Sequence, residues 1–174
     1  MTAGGGMRSL DDIRTMLRVG ADKVAINTKA LSRPEFIAEA ANAYGSQCIV
    51  LSVEAKKQSS GGWEAFADNG RERTGKNVLE WVQEAEKLGA GEILLTSVDQ
   101  EGTRKGFDRE LIREVHKRVR IPVIAAGGAG SCQDVIDILP AADAVSCASI
   151  LHYNICPLPQ LKQAVHDAGI LVRA

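Results

Sequence analysis

The sequence predicts an α/β domain with a parallel sheet, and three observations predict it. Short apolar runs alternate along the chain with segments of helical periodicity, the pattern that strand–helix–strand crossovers require. Hydrophobic residues make up 45% of the chain but aromatics only 4%. The core therefore rests on Val, Ile, Leu and Ala, as in strands buried on both faces by helices. A Gly-rich turn, a helix and a strand also occur twice in the same order, which points to a sheet built from related units.

Leu10, Ile13, Leu17 and Val19 share one helical face, and Ser9 with Asp12 three residues on forms a capping-box signal before them. Lys23–Asn27 then reads as a strand. Ser32 and Glu35 repeat the capping signal ahead of Phe36, Ile37 and Ala40, and Cys48–Val53 reads as the next strand. The connection from Lys56 to Arg73 is long. Within it Gly61-Gly62 and Asn69-Gly70 are turn chemistry, and the alternation around Trp63 and Phe66 predicts a small β-hairpin. Val78, Val82 and Ala85 mark a helix closed at Gly89, followed by the strand Glu92–Thr96. Leu111, Ile112, Val115 and Val119 mark a helix, and Pro122–Ala126 a strand. Val135, Ile136 and Leu139 mark another helix before the strand Ala144–Cys147. Leu158, Leu161 and Val165 mark a last helix, ending at Gly169.

Composition excludes several function classes. The net charge of -1 over 174 residues argues against a dedicated nucleic-acid or anionic-membrane surface. No apolar run approaches the roughly 18 residues of a membrane span, and the start lacks the pattern of a signal peptide. Cys48, Cys132, Cys147 and Cys156 form no CxxC pair, so they are expected to be small reduced hydrophobes of a cytoplasmic protein. His116, His152 and His166 match no metal-ligand spacing, and no metal site is expected.

The repeat sets the architecture. Gly5-Gly6-Met7-Arg8-Ser9 aligns with Gly127-Gly128-Ala129-Gly130-Ser131, and Gly20-Ala21-Asp22-Lys23-Val24 with Ala141-Ala142-Asp143-Ala144-Val145. The strands that follow end in Asn27-Thr28 and Ala148-Ser149. Two further strands lie between the copies, so one half of the fold spans four strands. On that count the chain is a partial (β/α)8 TIM barrel, a single domain over residues 1–174. It runs from the end of strand 3 through helix 8 and lacks the first two strands and most of the third. A complete barrel has about 250 residues. Open strand edges and an uncovered interior make self-association the expectation.

Gly-rich turns that open capped helices are anion sites, because the backbone can approach an oxyanion and unpaired N–H groups point at it. Gly6 with Asn27 and Thr28 is one candidate cradle. Gly127 and Gly128 with Ala148 and Ser149, helped by Gly102, are the other. Two related cradles imply a ligand with a phosphate at each end. Glu54 follows Val53 at a strand's end and is a candidate acid–base group. Thr96 ends another strand, with Asp99 and Glu101 on the loop after it. Lys56, Lys57, Arg71, Arg73, Arg104 and Lys105 lie on loops at that same end, where they would attract a phosphorylated ligand or remain simply solvated. Lys23 and Glu92 begin two strands at the other end and need partners there.

Gly4-Gly5-Gly6-Met7-Arg8, Gly20 through Thr28, Tyr44-Gly45-Ser46-Gln47-Cys48, Gly89 through Ser97, Asp99-Gln100-Glu101-Gly102-Thr103 and Ala126 through Gly130 resemble the cyclase subunits of imidazole glycerol phosphate synthase, the histidine-biosynthesis barrel family. The resemblance runs along essentially the whole chain. It implies a lyase-type reaction in which ammonia from a glutaminase subunit acts on a bisphosphorylated ribulosyl nucleotide. The products would be imidazole glycerol phosphate and an aminoimidazole carboxamide ribotide, with no cofactor. By position, the resemblance assigns the phosphate contacts to Gly6, Asn27, Thr28, Gly102, Gly127, Gly128, Ala148 and Ser149. Lys23 and Glu92 fall on the family's ammonia gate, and Thr96, Asp99 and Glu101 on its active-site loop. The family's catalytic pair is two aspartates. One belongs to the first strand, outside this sequence, and Glu54 stands at the other. Glu101 likewise stands where aspartate is usual. Two alternatives remain open: a phosphate-binding scaffold impaired in catalysis, and a related amidotransferase barrel of lipopolysaccharide synthesis.

Overall fold

A computed structural model describes residues 1–173. The parallel strands are β1 (Thr2–Gly4), β2 (Lys23–Ile26), β3 (Ile49–Lys57), β6 (Glu92–Ser97), β7 (Val123–Ala126) and β8 (Ala144–Ser146). They lie side by side in the order β1-β2-β3-β6-β7-β8. A hairpin of β4 (Trp63–Ala67) and β5 (Glu72–Asn77) adds antiparallel to the far end of β3. Each pair of neighbours along the parallel path is joined through helix, so the expected crossovers are present. The helices are α1 (Leu10–Arg18), α2 (Thr28–Ser32), α3 (Glu35–Tyr44), α4 (Val78–Lys87), α5 (Arg109–His116), α6 (Cys132–Ile138), α7 (Ser149–His152) and α8 (Leu158–Asp167). None of them is long and apolar enough to cross a membrane.

The two sheet faces differ. Val24, Ile26, Leu51, Val53, Ile93, Leu95, Val123 and Ala125 are fully buried. Side chains alternate across a strand, and the residues between them, Ala25, Ser52, Leu94 and Ile124, are only half-buried. Composition alone suggests helices on both faces, and that is corrected; the uncovered interior expected of a partial barrel is what the burial pattern supports. One face is sealed by helices, and the other is the partly open interior of a curved, unclosed sheet. Strands β1 and β8 are its two ends.

Local signals explain most boundaries. Ser9 caps α1 and Ser131 caps α6 with the same reciprocal box to Asp12 and Asp134. The box expected at Ser32 and Glu35 does not form. Pro34 takes the N-cap position, and the Ser32 hydroxyl donates back to the Lys29 carbonyl. Neither α2 nor α7 was expected. Each is a one-turn extension that begins at the hydroxyl residue of a repeat copy, Thr28 or Ser149. The hairpin forms as expected, with Asp68, Asn69 and Gly70 at positive φ in its turn. All five residues of β4 are buried, including Glu64. A buried carboxylate needs compensation, and Arg73, the Gly75 amide and Gln58 all donate to it. Those bonds hold its pKa down to about 2.

The cysteine expectation is also corrected. Cys132 opens α6, Cys156 precedes α8, and these two helices pack together. Their Cα atoms are 6.0 Å apart and the pair forms a disulfide. Sequence spacing showed no pairing because the contact depends on how two helices meet. Cys48 and Cys147 are free and half-buried.

Candidate functional site

The interior face of the sheet opens, at the C-terminal ends of its strands, into two adjoining cavities that share Leu94 as a wall. The first has a volume of about 710 Å³ and is entered over the turn Gly4-Gly5-Gly6. Asn27 and Thr28, at the end of the neighbouring strand β2, line the same cavity. The Asn27 amide donates to the Ser52 and Phe66 carbonyls at 3.1 and 3.2 Å, which fixes the end of β2 against β3 and β4. The Thr28 hydroxyl accepts from the Asp68 amide at 3.2 Å. The hairpin turn, through Asp68 and Asn69, forms part of the wall.

The second cavity, about 260 Å³, is built the same way from the other repeat copy. Gly127 and Gly128 form the turn, and Ala148 and Ser149, after the neighbouring strand β8, line the same cavity. Its remaining wall is the loop carrying Glu101, Gly102 and Arg104. That loop sits directly on the glycine turn, with the Gly106 amide donating to the Gly128 carbonyl at 2.8 Å. Gly128 has a φ of +104°, and a Cβ there would strike the Gly106 carbonyl. Thus all eight expected phosphate contacts fall in two groups at one end of the sheet, Gly6, Asn27 and Thr28 in one cavity and the other five in its neighbour.

Glu54 lies further inside its strand than expected, because β3 continues to Lys57. It pairs with Thr96 of β6 on one side and Phe66 of β4 on the other, and its side chain lines the first cavity. Its Oε2 is buried and has no hydrogen-bond partner among the described residues. Burial, with the nearby charge of Asp68 in addition, raises its pKa above the ordinary carboxylate value. A carboxyl that is half-buried and harder to ionise is suited to exchanging protons with a ligand. Thr96 and Glu101 line the second cavity. Asp99 lines neither and instead accepts from the Lys57 amide at 2.7 Å, tying its loop to the end of β3.

Half of the expected cationic cluster is engaged in ion pairs. Lys57 pairs with Glu110, Arg71 with Asp68 and Arg73 with Glu64. The cations that reach the cavities are Arg8 and Lys29 in the first and Arg104 in the second. Arg8 and Lys29 were missed as site residues. Arg8 stands two positions after Gly6, and its distance from the turn was the available signal. At the opposite end of the sheet Lys23 and Glu92, two strands apart across β3, form an ion pair with the Glu92 carboxylate largely buried. Among the described residues no group of three or more His, Cys, Asp or Glu side chains is placed to hold a metal.

Comparison with known proteins agrees with this architecture. Residues 1–157 match the family model described as "Histidine biosynthesis protein". The chain is 47% identical over 174 residues to the imidazole glycerol phosphate synthase subunit HisF of Streptococcus sanguinis (strain SK36), covering 99% of this chain and 69% of that protein. The subunit of the same name from Streptococcus gordonii (strain Challis) is also 47% identical over the same shares of both chains. A match of this extent, on a half-barrel carrying the duplicated glycine turns, shows that the chain belongs to the histidine biosynthesis protein family.

Proposed function

We propose that this chain is the cyclase part of an imidazole glycerol phosphate synthase. It would carry out ammonia-dependent ring closure that yields imidazole glycerol phosphate and an aminoimidazole carboxamide ribotide. The observation that carries this reading is the pair of adjoining glycine-turn cavities, both lined by Leu94. A ligand with a phosphate in each would lie across the interior face and present its middle to Glu54. Burial raises the pKa of Glu54 above the ordinary carboxylate value, which favours its taking up and returning a proton, the role of a general acid–base group. Gly6, Asn27 and Thr28 would hold one phosphate, and Gly102, Gly127, Gly128, Ala148 and Ser149 the other. Thr96 and Glu101 would border the reacting region.

Ammonia would enter from the opposite end, where the Lys23–Glu92 pair spans the strand starts as a charged gate, fed by a glutaminase subunit docked on that end. The six parallel strands would be the end of strand 3 through strand 8 of a closed barrel. The unpaired edges of β1 and β8 favour self-association in this form. A cytoplasmic location would keep Cys132 and Cys156 reduced, with the bond forming in oxidising solution.

A second reading is a phosphate-binding scaffold without turnover, favoured by the longer Glu54 where the family resemblance expects aspartate. About 1 Å of misplacement of a catalytic group is enough to cost roughly 100-fold in rate. Steady-state assay with ammonium salt and the bisphosphorylated ribulosyl nucleotide separates the two. The cyclase reading expects turnover that falls about 100-fold or more in Glu54→Gln, with ligand affinity retained. Tight binding with no turnover in the unsubstituted protein would leave only the scaffold.

A further inference from the structure

We infer that Arg104 is the phosphate-holding cation of the second cavity, posed by Tyr153, and that it occupies there the role which Arg8 holds in the first. This deepens the two-phosphate reading and rests on it.

The two repeat copies can be placed in register atom by atom. The Arg8 and Gly130 amides each donate at 2.9 Å to the acid of their capping box, Asp12 or Asp134. The Ser9 and Ser131 amides do the same, also at 2.9 Å. The Asp12 and Asp134 amides return bonds of 3.2 Å to the serine hydroxyls. Arg8 and Gly130 are therefore equivalent positions. The first copy has an arginine there, lining its cavity. The second copy has no side chain at all.

The reason is visible in the packing. A Cβ on Gly130 would strike the Arg104 carbonyl and crowd its Cβ. The loop bearing Arg104 occupies the space that an arginine at position 130 would need. Arg104 is itself in the left-handed region, φ +57°, a conformation that costs about 1–2 kcal/mol in L-residues. Its guanidinium lies 5.2 Å from the centroid of the Tyr153 ring, over its face, an attractive geometry for a cation. Tyr153 follows directly on α7, whose first residue Ser149 lines the same cavity. Among the described residues Arg104 forms no ion pair, and it is the one cation lining this cavity. Glu101 lines it too, so an anion entering without Arg104 would meet net negative charge. A planar guanidinium held on an aromatic face is already immobilised, so less freedom is lost when it takes up a phosphate dianion. Arg104 would thus set affinity for one end of the substrate only.

The test is an inorganic phosphate titration of the whole chain, followed by the amide NMR shifts of Gly127 and Gly128 and, in parallel, of Gly5 and Gly6. Arg104→Gln is expected to weaken the response at Gly127 and Gly128 about tenfold or more and to leave Gly5 and Gly6 unchanged. Arg8→Gln is expected to do the reverse. Arg104→Lys should recover part of the loss, and Tyr153→Leu should produce a smaller loss at the second turn alone. Far-ultraviolet circular dichroism of each variant identifies any that fails to fold, and Arg104→Lys keeps the charge if Arg104→Gln does fail. If Arg104→Gln titrates like the unsubstituted protein at Gly127 and Gly128, or weakens both turns equally, Arg104 does not have this role. Absence of any phosphate response in the unsubstituted protein, at either turn, overturns the underlying two-phosphate reading as well.

Discussion

The two cavities come from one repeated pattern, yet they differ in what surrounds it. Both begin with a glycine turn, a capping box of matching distances and a hydroxyl residue that opens a one-turn helix. The first is roomy, takes its arginine from its own turn, and contains the half-buried Glu54. The second is smaller, is pressed by the loop around Gly106, and draws its arginine from that loop. The backbone device is repeated faithfully because short-range geometry specifies it. The side chains around it are free to come from any element that reaches the same space.

The sharpest test of this contrast is steric. Gly128→Ala places a methyl group against the Gly106 carbonyl at φ +104°. Overpacking and backbone strain together should cost about 4 kcal/mol in urea unfolding. Gly6→Ala, at φ +70° in open space, should cost only about 1 kcal/mol. Equal losses would mean that the second turn is not clamped by the loop.

The disulfide supplies a second difference, since it braces α6 and the segment after α7 beside the second cavity only. Closing a loop with a sequence separation of 24 should stabilise the fold by about 3.5 kcal/mol in the chain-entropy account. Cys132→Ser is expected to lower the unfolding midpoint accordingly, measured under oxidising conditions. An unchanged midpoint would show that the bond does not form in solution.

Acid should loosen the first cavity before the second. The Glu64 pKa is held down to about 2 from an ordinary 4.5, so the folded state binds the proton more weakly than the unfolded chain. That stabilisation is full above about pH 4.5 and is lost as pH falls toward 2. Because Glu64 anchors the hairpin whose turn walls the first cavity, hydrogen exchange of β4 and β5 should accelerate over that window ahead of exchange in β7. Simultaneous acceleration throughout would show no special hairpin contribution.

The smallest effect concerns Glu54, where the sign is opposite. Its pKa is raised in the fold, so the folded state holds the proton more strongly and stability declines as pH rises through that range. Glu54→Gln should therefore be slightly more stable than the unsubstituted protein at pH 7, with the difference vanishing near pH 4. A loss of stability at pH 7 would indicate that the carboxylate has a partner in solution.

Much of the first cavity was legible in the chain, because Gly6 lies in a glycine turn, Asn27 and Thr28 follow a strand, and Glu54 follows the apolar run Cys48–Val53 even though its strand runs on to Lys57. Less of the second was. Gly130 reads as one more residue of a glycine turn, and only the packed loop shows that a side chain there would collide with Arg104. Arg8 and Lys29 were missed because surface charges carry no periodic signal, while the cluster from Lys56 to Lys105 attracted attention although its members Lys57, Arg71 and Arg73 are paired. The Ser32 box failed because the proline next to Glu35 took over the start of α3.

Sequence by itself determined the alternation of strands and helices, the duplicated turns with their caps, and the hairpin turn, since these depend on residues a few positions apart. Tertiary structure alone decided which cysteines meet, how deeply Glu54 and Glu64 are buried, and which arginine faces which cavity. Those outcomes depend on contacts between residues distant in the chain, whose geometry exists only once the helices have packed on the curved sheet.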